Sequence, residues 1–459
     1  MQLNLSVLKT YKKTLLLVLI SCVLYIAFAY SLERTQYLKL IGLYTALFVC
    51  FYWFLKTYKQ HTQVLTVIAF LFRAIFILAI PNLSQDFYRF IWDGNMTILG
   101  LNPYLSTPEH QISQGLLSGF QNKMELYVGM GKLNASHFTN YPPVNQFCFV
   151  LSNLIPGTSI LSSVIGLRLI IIAADFGILY FGKKLLQILK QPVHTIFLYI
   201  LNPFIIVELT GNLHFEGVMI FFLIWSLYLL VSGKWAWAAV VLALSISTKL
   251  IPLIFLPLFL QWFTSNTTSN KQGITKLILF YAIVGGVTLL LFAPFFSSQF
   301  ISNYTETVAL WFQNFEFNAS LYYIAREIGY AFTGYNQIAV IGKIIPVVVV
   351  LFVLIISFFR KNKTPITLIT AMLLVLSFYY FTATTVHPWY VATLLVLSVF
   401  TKYKFPLVWS FVIVLSYLAY IQTGNANKHE NLIVIAIEYL IVYGVFFWDI
   451  YKTNLKQSE

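Results

Sequence analysis

Stretches of 18 or more residues with few or no charges recur from one end of this sequence to the other. In lipid every backbone polar group must be satisfied within the chain, so each such stretch is restricted to a helix that crosses or enters the bilayer. The runs fall at 14–32, 37–55, 62–81, 160–182, 193–211, 215–232, 235–249, 250–263, 274–296, 337–359, 364–384, 388–400, 405–422 and 431–451. They predict an all-α polytopic integral membrane protein of about 12–14 transmembrane helices. The runs around 235–263 and 388–400 are short and read as tilted, kinked or partly spanning. A soluble domain is about 25% charged, and this chain is 10% charged and 59% hydrophobic, which excludes an ordinary soluble enzyme.

Cys22, Cys50 and Cys148 all lie in apolar segments without a CxxC or Cys/His cluster, so neither a disulfide framework nor a structural zinc site is expected. The net charge of +14 points to cytoplasmic loops rather than to nucleic acid. Lys9, Lys12 and Lys13 precede a long apolar run, which reads as a retained first helix rather than a cleaved signal. With the N-terminus inside, about 18 of the 29 Lys and Arg residues fall inside, including Lys183, Lys184 and the Arg360–Lys363 cluster. Counting 143–156 as a crossing would put those clusters outside, so it reads as re-entrant or interfacial. Two long extracytoplasmic loops follow, 82–142 and 297–336, in one integral domain.

Only four aspartates are present, Asp86, Asp93, Asp175 and Asp449. Asp449 reads as a solvated anchor at the cytoplasmic end of the last run. Asp175 lies within a span, with Arg168 seven residues before it. An intramembrane charge costs about 2.5–3.5 kcal/mol on insertion scales. Both a structural pairing with a neighbouring helix and a functional role fit.

Asp86 and Asp93 open the first outer loop. In a helix seven residues turn the chain through about 700°, which sets both carboxylates on one face about 10 Å apart with Arg89 between them. Phe87, Phe90, Ile91 and Ile98 form a separate apolar stripe, the pattern of an interfacial helix with its polar face outward. The bland reading is a surface Asp–Arg–Asp bridge. The sharper one is a general base at the water–lipid boundary, able to accept a proton from a hydroxyl while a lipid tail stays buried. Gly100 to Tyr104, including Asn102 and Pro103, then breaks the helix.

Further polar groups gather on the same side. Lys249 stands between two short apolar runs, His387 and Tyr390 share a second outer junction, Asn212, His214 and Glu216 fill a third, and Tyr141-Pro142-Pro143 closes the first loop. Each has an ordinary alternative: a snorkelling lysine, a helix-capping histidine, a solvated turn. No HxxxH or DxD spacing supports a divalent metal. Together they suit one chemistry, since a lipid-borne phosphate needs a cation or histidine donor and an incoming hydroxyl needs a carboxylate base. That is sugar transfer from a polyprenyl-phosphate sugar on the outer face.

The runs QDFYRFIWDGNMTILGLNPY, YPPVNQFCF, GNLHFEGVM, STKLIPLIFLPL and VHPWYV, in that order, resemble the GT-C superfold of polyprenyl-phosphate-sugar-dependent glycosyltransferases. Within it the chain is most similar to bacterial polyprenyl-phosphate-mannose mannosyltransferases and, more distantly, to the glycosylphosphatidylinositol mannosyltransferases. The resemblance covers about 62–400. It implies a many-helix core with outer-face interfacial helices, a lipid-linked donor, a glycan or glycolipid acceptor, and inversion at the anomeric carbon. On this resemblance Asp86 is the base, and Asp93 orients the sugar or Arg89. Lys249 and His387 meet the donor phosphate, and Tyr141, His214, Glu216 and Tyr390 line the cavity. Asn102 and Asn212 complete the expected substrate-binding set.

Some relatives carry paired acidic residues before the motif aromatic, where this chain has Gln85-Asp86. No cofactor is therefore expected, and a divalent metal is not favoured. A compact chain without long luminal insertions points to a bacterial plasma membrane. Glucose or arabinose as the donor sugar, a lipid-linked saccharide transporter and a non-catalytic scaffold are the alternatives. The Arg168/Asp175 pair is the feature that most favours transport.

Overall fold

The structure, a computed structural model, describes residues 5–115, 119–157, 159–266, 269–313, 315–420 and 430–458. Among these residues there are twenty-one α-helices and no strand, as the apolar runs require of a polytopic membrane protein. The first eight helices are α1 (Leu5–Ser31), α2 (Tyr37–Tyr58), α3 (Thr62–Ile75), α4 (Asp86–Ile98), α5 (Pro108–Ser113), α6 (Lys123–Ala135), α7 (Pro143–Asn153) and α8 (Ile160–Ile188).

Among the described residues, seven helices are long and apolar enough to cross a membrane, and an eighth crossing is made if the bent pair Val193–Ile200 and Pro203–Gly211, broken by 47°, is one span. Six further apolar helices have 10–17 residues. The expected 12–14 crossings thus divide into long helices and short ones, because the apolar runs are longer than the helices that form from them. At 1.5 Å per residue a helix of 10–17 residues reaches about 15–26 Å, less than the hydrocarbon thickness of about 30 Å. Helix α7 has 11 residues and is likewise too short to cross.

The shortening has a purpose that the sequence leaves hidden. Helix Trp235–Ile246 ends before Ser247, and the chain restarts as a 3-10 turn at Ile251, where Pro252 and Pro257 withhold two donors. Helix Pro365–Thr382 ends at Ala383, and helix formation resumes only at Pro388. The bent pair ends at Gly211, and helix Glu216–Val231 begins five residues later. Between them Leu213 holds a left-handed φ of 62°, a conformation costing a bulky residue about 1–3 kcal/mol and typical of functional loops. Irregular backbone at this depth is tolerated where it is buried in protein or lines a water-filled space. These three breaks surround one cavity.

The ionised groups of the bundle hold it together. Arg73 of α3 donates from Nε to Asp175 Oδ2 of α8 at 2.7 Å and from Nη1 to the carbonyls of Ala69 and Ile200. Arg168 instead gives its donors to the carbonyls of Thr210, Gly211 and Ile77. Asp175 therefore has a structural partner, and the partner is Arg73. Asp449 is buried rather than solvated, because its Oδ2 accepts the backbone N–H groups of Lys404 and Phe405 and so caps the helix that starts there.

Helix Pro365–Thr382 begins just after Lys361 and Lys363 and ends at the cavity-lining Ala383; the segment Phe405–Tyr420 begins after Lys404 and ends at the cavity-lining Tyr420. The cavity is thus at the end of the bundle opposite these basic clusters.

Candidate active site

A cavity of about 640 Å³ brings together six of the eleven residues singled out in the sequence: Asp86, Tyr141, Glu216, Lys249, His387 and Tyr390. They come from α4, the turn before α7, and the three helix breaks. Residues far apart in sequence reach one space because each break turns a polar side chain inward.

Helix α4 is set by close packing on α7. A Cβ on Gly94 would lie 2.6 Å from the carbonyl oxygen of Phe149, so only glycine allows this approach. Asn153 Nδ2 donates to the carbonyl of Ile91 across the same contact. The first residue of α4, Asp86, then lines the cavity, where its Oδ1 accepts a long hydrogen bond of 3.4 Å from Asn134 Nδ2. Burial raises the Asp86 carboxyl above its ordinary range, opposed by Lys249, the Asn134 hydrogen bond and Arg34. A base raised in this way is a better proton acceptor and stays sensitive to its neighbours.

Lys249 Nζ lies 3.1 Å from Glu216 Oε1 and 5.1 Å from the centroid of the Tyr141 ring. The break that presents Lys249 is tacked to α7: Val144 N donates to Ser247 O, and Asn145 Nδ2 donates to Thr248 O, both at 2.9 Å. The YPPVN and STKLIP runs therefore form one unit. Glu216 Oε2 is buried and, among the described residues, has no hydrogen-bond partner.

His387 is held in an aromatic stack. Its ring centroid lies 5.2 Å from that of Phe317 and 4.6 Å from that of Trp389, and Trp389 stacks in turn on His214 at 3.6 Å. Phe317 is pinned to this segment by the Phe317 N to Thr384 O and Val386 N to Phe317 O hydrogen bonds. Burial, then Lys249 and Arg34, push the His387 imidazole down to about 3, so it is neutral near neutral pH. Its Nδ1 is buried without a partner.

The other five predicted residues stand behind the wall. Arg89 and Asp93 face the protein interior, which corrects the outward polar face expected of this helix. Arg89 Nε donates to Asp93 Oδ1 at 2.8 Å, and Nη1 donates to the carbonyls of Asn134 and His137. Gln146 Nε2 closes the network on Asp93 Oδ2 at 3.3 Å. The pattern in sequence is the same for an exposed and a buried face; what decides it is α6 and α7 packing over α4. This clamp sets the end of α6, from which Asn134 reaches Asp86. Asn212 Oδ1 accepts from Leu83 N at 3.1 Å and fixes the approach to Asp86. Asn102 Nδ2 donates to Phe295 O at 3.1 Å, tying the segment after α4 to the turn that ends helix Asn270–Phe292. His214 lies under Trp389, with Nε2 4.0 Å from Glu208 Oε2, and burial, Lys249 and His387 hold its imidazole well below the ordinary value.

The cavity also contains residues that motif reading passed over: Arg34 from the α1–α2 turn, Asn134 from α6, Glu316 and Glu430, and Tyr420. Arg34 and Glu430 are signalled only by standing beside an apolar run; Asn134 and Glu316 lie within the long loops and carry no such signal. Among the described residues no group of three His, Cys, Asp or Glu side chains is placed to hold a metal ion.

Fold and site together describe an integral membrane enzyme whose polar cavity opens at one end of its helical bundle. The family model for the alpha-(1->6)-mannopyranosyltransferase N-terminal domain matches residues 16–265, more than half of the chain. The chain belongs to this family and is a membrane glycosyltransferase of the mannosyltransferase class. No curated protein matches it. The match starts within α1, so the first two helices are part of the family domain rather than an addition to it. It contains Asp86, Tyr141, Glu216 and Lys249 and ends before His387 and Tyr390.

Proposed function

We propose that the chain transfers mannose from a polyprenyl-phosphate donor to a hydroxyl of a glycan or lipid-linked acceptor, on the extracytoplasmic face of a bacterial plasma membrane. The observation that carries this reading is a single cavity with a carboxylate on one wall and a lysine and a histidine on the others. Its position opposite the basic clusters supports the outer face. The volume lies within the range of about 300–1,000 Å³ usual for small-ligand sites.

In this mechanism the acceptor hydroxyl lies against Asp86. Its oxygen attacks the anomeric carbon as the bond from that carbon to the phosphate oxygen breaks. The hydroxyl proton passes to Asp86, and the bonding electrons leave with polyprenyl phosphate. Lys249 neutralises the charge that grows on the phosphate, and neutral His387 donates an N–H to it. One displacement inverts the anomeric carbon. An alpha-(1->6)-mannopyranosyltransferase makes an alpha linkage, so an inverting member starts from a β-linked donor sugar. No metal or cofactor is required, because protein side chains supply the counter-charge.

The transport reading loses its main support, since Arg168 and Asp175 do not pair with one another but serve as separate clamps. The deciding experiment is transfer from radiolabelled polyprenyl-phosphate mannose in membranes containing the chain, beside Asp86→Asn and beside glucose and arabinose donors. Label entering a product only with mannose and only with Asp86 intact is the expected result. Transfer from another sugar replaces mannose in the proposal, and no transfer from any donor overturns it.

A further inference from the structure

The α1–α2 turn brings one side chain into the cavity, Arg34. The guanidinium carbon stands 3.1 Å from the centroid of the Tyr420 ring. The ring takes the flat face of the guanidinium, which leaves its edge, where the N–H groups point, for something else. On that edge Nε is buried and, among the described residues, has no hydrogen-bond partner. Buried donors are normally paired, so an orphan beside a cavity marks a place where a ligand acceptor belongs.

Arg34 and Lys249 both act electrostatically on Asp86 and on His387. A ligand in contact with the base and the histidine therefore shares one cavity with two cations, one from the α1–α2 turn and one from the break before Ile251. Of the other charged or polar groups that feel Arg34, Glu208 is already engaged by the single Tyr417 hydroxyl, which lies within hydrogen-bond distance of both its oxygens. Tyr420 also takes a hydrogen bond from Arg34, so Nε is the donor left for an anion that enters the cavity. The planar fork of the guanidinium matches two phosphate oxygens, whereas the ammonium of Lys249 contributes a point charge.

We infer that Arg34 is a second fixed cation for the donor's phosphate, delivered by the α1–α2 turn and set on edge by Tyr420. This gives the first two helices a task in substrate binding, and it rests on the reading of the donor as a polyprenyl-phosphate sugar. In that site the phosphate is bridged, with Arg34 and Lys249 flanking the leaving oxygen and His387 beneath it.

The test compares binding of polyprenyl monophosphate and of uncharged polyprenol to the full chain in lipid nanodiscs, read by the fluorescence of the cavity-lining Trp389. The intact protein should prefer the phosphate lipid. Arg34→Ala should weaken that lipid about 10- to 100-fold, the loss of one charge-assisted hydrogen-bonding partner, and leave polyprenol binding unchanged. Arg34→Lys should recover only part, because the charge returns without the fork. If Lys249→Ala weakens phosphate-lipid binding and Arg34→Ala does not, the inference about Arg34 fails and the donor reading survives. A loss of polyprenol binding in Arg34→Ala also overturns it, since the residue would then be holding the fold. If the intact protein does not distinguish the two lipids, the donor reading itself fails, and the role of Arg34 with it.

Discussion

Lys249 Nζ stands 3.1 Å from one carboxylate oxygen of Glu216, while the other oxygen, Oε2, is buried with no partner. The pair is thus half-closed. Glu216 fixes the ammonium at the cavity wall through Oε1, and Oε2 has no partner among the described residues. Removing either partner leaves the other charge poorly compensated, so the two are expected to act as a unit rather than additively.

Lys249→Ala should lower kcat/KM for the lipid donor about 10- to 100-fold, the range of one charged hydrogen bond of about 1.5–3 kcal/mol. The KM for the acceptor should change little. Steady-state kinetics with each substrate varied in turn checks this; an effect confined to the acceptor would remove Lys249 from the phosphate site.

Asp86→Asn keeps the shape and the Asn134 contact but removes the proton acceptor. General-base catalysis contributes about 100- to 10,000-fold, so kcat should fall by that factor with the melting temperature unchanged. A variant that retains more than about a tenth of the rate would exclude Asp86 as the base.

The residues that were legible in the sequence are those whose type is rare in an apolar chain. Lys249 and His387 stand out because they sit between apolar runs, where a break needs a compensating polar space, and Asp86 because it is one of only four aspartates. Depth and direction were not legible. Arg89 and Asp93 have the spacing of an exposed pair, yet α6 and α7 cover them and turn them into a clamp. Arg34 and Glu430 are not legible because their placement depends on distant contacts, Arg34 with Tyr420 and Glu430 with Asn318 and Tyr323. Asp449 looked solvated because a cytoplasmic end is usually wet, and the helix N-terminus it caps is set only by tertiary packing. Helix length was not legible either, because proline and polar residues cut several apolar runs into shorter elements.

Chelator should leave transfer unchanged. Lys249, Arg34 and His387 surround the space where a phosphate would sit, and cations fixed in the wall do the work that a divalent ion does in other phosphate sites. Transfer measured in EDTA, then with Mg²⁺ or Mn²⁺ restored, decides the matter. A full loss reversed by the ion would place a metal in the mechanism.

Asp175→Ala should destabilise the fold by about 3–5 kcal/mol, because it leaves the Arg73 guanidinium buried and unpaired. Donor and acceptor KM values of the protein that remains folded should match those of the parent. A normal melting profile together with altered substrate affinity would instead give the pair a direct role in binding.

The pH profile tests how the cavity tunes its base. Transfer needs the Asp86 carboxylate, so kcat/KM should fall on the acid side, about tenfold for each pH unit below the carboxyl's pKa. Burial holds that pKa above the ordinary aspartate value of about 3.9, so the fall should begin at higher pH than an exposed aspartate would give. His387, already neutral over this range, adds no limb of its own. The Asn134 hydrogen bond favours the charged form of Asp86, and Asn134→Ala removes it. The pKa then rises, so the acid limb should move to higher pH, while the alkaline side stays in place. A limb that moves to lower pH, or does not move, would show that another group sets it.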